Sequence, residues 1–145
     1  MPTTLRLVLA VLFLLAGIAL VAVAVLGARS RLRRNGWIGV RTAATLDSAP
    51  AWVSANRVAA PPLGAAGAVA LLAGLTLVAG PAPVLAWIVT GVGVVGSLVL
   101  TGIGGALGDR AAQLETASRA EAPQPAGCAG TCAGCDLVAG CRPQP

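Results

Sequence analysis

Histidine, tyrosine and lysine are absent from this sequence, and methionine and phenylalanine occur once each. Without histidine there is no Ser–His–Asp nucleophile, no HExxH metal site and no imidazole proton shuttle. Charge is equally scarce: 10% of the residues are charged, where a soluble domain averages about 25%. There is no pair of acids in a plausible cleft and no phosphate-binding loop, so the sequence does not read as an enzyme.

What is present is apolar. The chain is 57% hydrophobic, with a mean hydropathy of +0.85, and the apolar residues lie in three long runs at 7–28, 63–80 and 84–107. The first rises about 33 Å at 1.5 Å per residue, enough to cross a hydrocarbon core of about 30 Å. It is longer than the apolar region of a signal peptide, and its strong positive charge follows rather than precedes it, so it is expected to remain as a span. Pro61-Pro62 precedes the second run, and a Gly-Pro-Ala-Pro turn at 80–83 separates it from the third. The expected fold is an all-α integral membrane protein with three transmembrane helices, the last two forming a tight hairpin.

None of the three runs contains Asp, Glu, Lys or Arg; their polar residues are Thr76, Thr90, Ser97 and Thr101. A proton pump or coupled transporter normally needs an ionisable group inside the membrane. Small residues recur at four-residue spacing, as Ala66, Ala70 and Gly74 and again as Gly104 and Gly108. Such spacing lets helix backbones approach closely in lipid, and the tight hairpin favours packing of the first set against the third span.

The formal charge is +5, but its placement argues against nucleic acid. Arg29, Arg31, Arg33, Arg34, Arg41 and Arg57 all lie between the first run and the second, with Asp47 as the one acid among them. By the positive-inside bias this loop is cytoplasmic, the N-terminus outside and the C-terminus cytoplasmic. The bilayer, with its anionic headgroups, is the expected partner of those arginines.

The segment 34–57 reads RNGWIGVRTAATLDSAPAWVSANR. Asn35-Gly36 is a turn dipeptide, and Gly39 marks a second bend. Asp47 or Ser48 can cap a helix with Pro50 in its first turn. That helix, 49–60, would carry Trp52, Ala55, Asn56 and Ala59 on one side and stop at Pro61. Trp37 and Trp52 suit the headgroup region, so the loop is expected on the membrane face, ending in a short interfacial helix. Arg41 would anchor it by charge-assisted hydrogen bonds, while Thr42 and Thr45 bond nearby backbone.

The order N-x-x-x-G-x-R-T-x-x-T-L, then W-x-x-x-N-R, resembles the signature loop of the SdpI family of bacterial membrane proteins. The residues are Asn35, Gly39, Arg41, Thr42, Thr45, Leu46, Trp52, Asn56 and Arg57. The resemblance implies a multi-pass protein of the bacterial plasma membrane, with a non-catalytic role in immunity to, or sensing of, a membrane-active toxin peptide. It also implies a cytoplasmic regulator as a further partner, as in members that hold a repressor at the membrane. Longer members carry an additional membrane region ahead of the signature. No oligomeric state is read from the sequence.

After residue 107 the composition turns polar, with a short helix and then a Pro-containing linker expected to be disordered. Cys128, Cys132, Cys135 and Cys141 follow as C-x₃-C-x₂-C-x₅-C. In a reducing cytoplasm such a cluster points to metal or redox chemistry rather than a structural disulfide. Four thiolates suit Zn²⁺, or an Fe–S cluster. This cluster lies outside the family resemblance and supports an alternative reading, a membrane-tethered metal or redox sensor.

Overall fold

The computed structural model describes residues 1–33 and 37–121. Four helices make up the described chain, α1 (Thr3–Ala28), α2 (Ala43–Asp47), α3 (Ala49–Val78) and α4 (Pro83–Glu121), and no strand occurs among these residues. α1, α3 and α4 are each long and apolar enough to cross a membrane. α3 lies between α1 and α4, which scarcely touch each other.

Close approach of backbones, rather than large interlocking side chains, holds the three helices together. A methyl group on Gly17 of α1 would sit 2.9 Å from the carbonyl oxygen of Gly67 on α3, and one on Gly67 would sit 2.9 Å from that of Gly17. The seam continues to Gly74 against the Ala10 carbonyl at one end, and to Gly27 against the Asn56 carbonyl at the other. On the opposite side of α3, Gly93 abuts Ala73, and Gly108 abuts the Ala55 carbonyl. Lipid gives helices no hydrophobic reason to associate, so contact of this kind must supply the attraction. The Ala66, Ala70 and Gly74 set is buried, but it divides its contacts. Ser97 of α4 donates to the Ala66 carbonyl at 3.2 Å, whereas Gly74 packs on Leu14 and Ala10 of α1. Only part of that set therefore serves the hairpin. Thr76, Thr90 and Thr101 each donate to the carbonyl four residues back in their own helix.

Two expected boundaries are absent. The helix expected to stop at Pro61 runs on through Pro61 and Pro62 to Val78 as one element of 30 residues. Proline removes the N–H that would bond the carbonyl four residues back and costs about 3 kcal/mol in a free helix. Here α3 is clasped on both sides, with Ala59 and Ala60 buried and Pro62 pressed on Gly104. Tertiary packing holds the continuous form. Likewise, the third span and the polar helix after residue 107 are a single helix of 39 residues.

The end of α1 is closed by a Schellman motif. Arg31 N–H reaches back to the Leu26 carbonyl at 2.9 Å and Ser30 N–H to that of Gly27 at 3.0 Å. Ser30 adopts a left-handed φ of 54°, the position usually given to glycine. This closure turns the chain across the head of the bundle, where the signature residues lie. At the other end, Arg6 lies beside Gly80 in the hairpin turn.

A buried polar latch as the candidate functional site

Thr45 and Asn56 are the buried polar side chains of the described residues, and each is satisfied, as burial demands. Asn56 is 3% exposed. Its Oδ1 accepts the Val40 N–H at 3.0 Å and its Nδ2 donates to the Trp52 carbonyl at 2.9 Å. One amide thus joins the incoming loop to α3. Trp52, 1% exposed, makes a second tie: its Nε1–H donates to the Leu32 carbonyl at 2.9 Å, joining α3 to the segment leaving α1.

Gly39 makes this arrangement possible. Its φ of +105° lies where side chains are strained, and a β-carbon there would meet Asn56 Oδ1 at 2.5 Å and Leu32 Cδ2 at 2.9 Å. Thr42 and Thr45 then start α2 with a reciprocal capping box. Thr45 N–H donates to Thr42 Oγ1 at 3.3 Å, and Thr42 N–H to Thr45 Oγ1 at 2.8 Å. Thr45 Oγ1 also donates to the Thr42 carbonyl at 3.0 Å. Ser48 caps α3 through the Ala51 N–H at 3.3 Å, with Pro50 in the first turn. Beneath the loop, Ala51 and Ala55 of α3 pack on Ala112 of α4, and Gly108 admits Val40.

Gly39, Thr42, Thr45, Trp52 and Asn56 are therefore gathered into one latch. The expected face of Trp52, Ala55, Asn56 and Ala59 is buried as a unit, but it faces protein, not the headgroup layer. Trp52 is a core residue rather than an interfacial anchor, and the segment 49–60 is the buried head of the second span rather than a separate helix on the membrane face. Trp37, in contrast, is 91% exposed. Arg41 does not anchor the loop through protein: it is exposed, with no hydrogen bond or ion pair among the described residues. Arg57 is exposed and unpartnered in the same sense. Leu46 is 41% exposed at the end of α2.

Asn35 lies outside the described residues, as do Cys128, Cys132, Cys135 and Cys141 with their expected Zn²⁺ or Fe–S site. Among the described residues no group of metal-ligating side chains occurs.

The model of the SdpI/YfhL protein family matches residues 31–103, half of the chain. The chain belongs to the SdpI family. The matched region opens at the Arg31 closure of α1, contains Gly39, Thr42, Thr45, Trp52 and Asn56 together with the whole of α3, and ends within α4. No curated protein and no solved structure matches the chain. With its three spanning helices, this SdpI-family chain is a multi-pass protein of the cell membrane.

Sequence reasoning missed three residues that complete or pack against the SdpI latch, namely Gly27, Leu32 and Val40, and gave Gly108 only a helix-packing role. A signal for Leu32 was present, since it is the one apolar side chain among Arg29, Arg31, Arg33 and Arg34. An isolated leucine in a basic stretch has a reason to turn inward, and Leu32 is 8% exposed.

Proposed function

We propose that this chain is a non-catalytic immunity or sensing protein that responds to a membrane-active toxin peptide, with the Arg-rich loop on the cytoplasmic side. Family membership supports the class of role. The observation that carries the finer reading is the division of the signature into two sets. Gly39, Thr42, Thr45, Trp52 and Asn56 build the latch, while Arg41 and Arg57 remain exposed around it with no partner among the described residues. Positions that only shaped a loop would be expected to point inward, so exposed arginines beside a rigid latch suit contact with something outside the chain.

The orientation rests on the excess of arginine in this loop. It places the latch at the inner membrane surface, within reach of a cytoplasmic regulator, and leaves the short 79–82 turn outside.

A deletion strain challenged with a panel of membrane-active peptides tests the reading. It should be more sensitive than its parent to at least one of them. Restoring the wild-type chain should recover resistance, and Arg41→Ala at normal abundance should not. No difference between deletion and parent across peptides and envelope stresses would remove the proposal. Loss of Arg41→Ala protein from the membrane would assign Arg41 to folding instead.

A further inference from the structure

A groove of about 440 Å³ runs down the outer wall of the bundle between α1 and α3. Val21, Val25 and Ala28 of α1 line it with Arg57, Pro61 and Gly64 of α3. Its walls are apolar, and its head carries the Arg57 guanidinium, which has no partner among the described residues.

The helix register fixes the height of that head. Gly27 faces Asn56, and Gly108 faces Ala55. Arg29, which caps α1, Arg57 on α3 and Asp109 on α4 therefore end the uncharged stretches of their helices within about one helical turn of one another. From there the uncharged residues 58–78 of α3 rise about 31 Å, matching a hydrocarbon core of about 30 Å. Arg57 thus stands at a headgroup plane with an apolar slot below it in the acyl region. Pro61, in the wall of the groove, lacks the N–H that would bond the Arg57 carbonyl four residues back. A cation above an apolar slot matches a ligand with a phosphate and an acyl chain.

We infer that this groove is a binding site for one anionic glycerophospholipid, its phosphate on Arg57 and an acyl chain between α1 and α3. The charge sign selects an anionic lipid, and the slot selects a lipid over free phosphate. This site shares Arg57 with the toxin reading, but it rests on the groove, the register and the charge of Arg57, and its readout, bound lipid, does not depend on protection from a peptide.

The test uses the full-length chain in mild detergent, titrated with phosphatidylglycerol or phosphatidylcholine, with bound lipid counted by native mass spectrometry. Wild type should hold one phosphatidylglycerol about tenfold more tightly than phosphatidylcholine, the scale of one charge-assisted hydrogen bond. Arg57→Gln should abolish that preference, Arg57→Lys should keep part of it, and Arg31→Gln should leave it intact. Ala28→Leu, which fills the slot and leaves the charge, should weaken both lipids; it decides the matter should Arg57→Gln fail to fold. Equal binding of the two lipids by wild type would overturn the proposal. So would an unchanged preference in Arg57→Gln, or displacement of the lipid by inorganic phosphate.

Discussion

Gly39 and Asn56 compete for one volume: the carboxamide oxygen of Asn56 lies 2.5 Å from where a β-carbon on residue 39 would be. The oxygen is held there by the Val40 N–H, so it has no free direction in which to retreat. Gly39→Ala therefore meets two penalties, a left-handed backbone costing about 1–2 kcal/mol for a residue with a side chain and displacement of a bonded buried amide. Thermal unfolding of the detergent-solubilised chain should fall by several degrees. An unchanged midpoint would show that the latch contributes nothing to stability.

Asn56 itself can be separated from its neighbour. Asn56→Ala leaves the Val40 N–H without its acceptor, and a buried unsatisfied group costs about 1–3 kcal/mol. Asn56→Asp keeps the acceptor for Val40 but faces the Trp52 carbonyl with an oxygen in place of the donor Nδ2. Both should lower stability. Hydrogen exchange at the Val40 amide should accelerate in Asn56→Ala and stay protected longer in Asn56→Asp. Equal exchange in the two variants would show that the acceptor oxygen is not what protects this amide.

The glycines of the spans should divide by what they face rather than by the helix they occupy. Gly67→Val places carbon against Val21 and the Gly17 carbonyl, so α1 must move away from α3. A β-carbon on Gly102 of α4 meets nothing within 4 Å. Gly102→Ala should be neutral or stabilising by up to about 1 kcal/mol, because alanine is the better helix former. Comparable destabilisation by both substitutions would mean that the surface of α4 bearing Gly102 is covered in the membrane.

Much of this arrangement was legible in the sequence, and what was not has a physical pattern. Long uncharged runs must be spans in any context, and Ser48 with Pro50 must favour a helix start; such features depend on lipid or on neighbouring residues alone. The continuity of α3 through Pro61 and Pro62 was not legible. A local proline penalty is set there against packing from α1 and α4, and that packing is defined only once distant segments meet. Trp52 shows the same limit. Its indole has both an apolar face and a donor, which suits a headgroup layer and a latch equally, and only the position of the Leu32 carbonyl decides between them. Arg41 has the charge to anchor a turn, yet the neighbouring Thr42 carbonyl already accepts from Thr45 Oγ1 and from the Leu46 N–H.

Ser30 offers a substitution in the opposite sense. It holds the left-handed position of the Schellman closure of α1, where glycine carries no steric penalty. Ser30→Gly should raise stability by about 0.5–1 kcal/mol, offset in part by the greater freedom glycine gives the unfolded chain. The midpoint of thermal unfolding in detergent checks this. A fall would mean that the serine side chain makes an interaction worth more than the strain it carries.

Trp52→Phe examines whether the latch holds the loop to the bundle. The substitution keeps an aromatic ring in the core but loses the distal indole edge that faces Gly39 and the indole N–H, leaving the Leu32 carbonyl without its donor. The segment after α1 is then tied to α3 through the Val40–Asn56 bond and its apolar contacts. Trypsin, which cuts after arginine, reports on that tie, because Arg31 and Arg33 flank Leu32. Cleavage there should be about fivefold or more faster in Trp52→Phe, corresponding to a lost hydrogen bond of about 1 kcal/mol. Because the two bonds fasten the same loop, adding Asn56→Ala should give a rate that departs from the product of the single effects. Simple multiplication of the two would mean that Trp52 and Asn56 act on separate pieces of structure, and the latch would not be one unit.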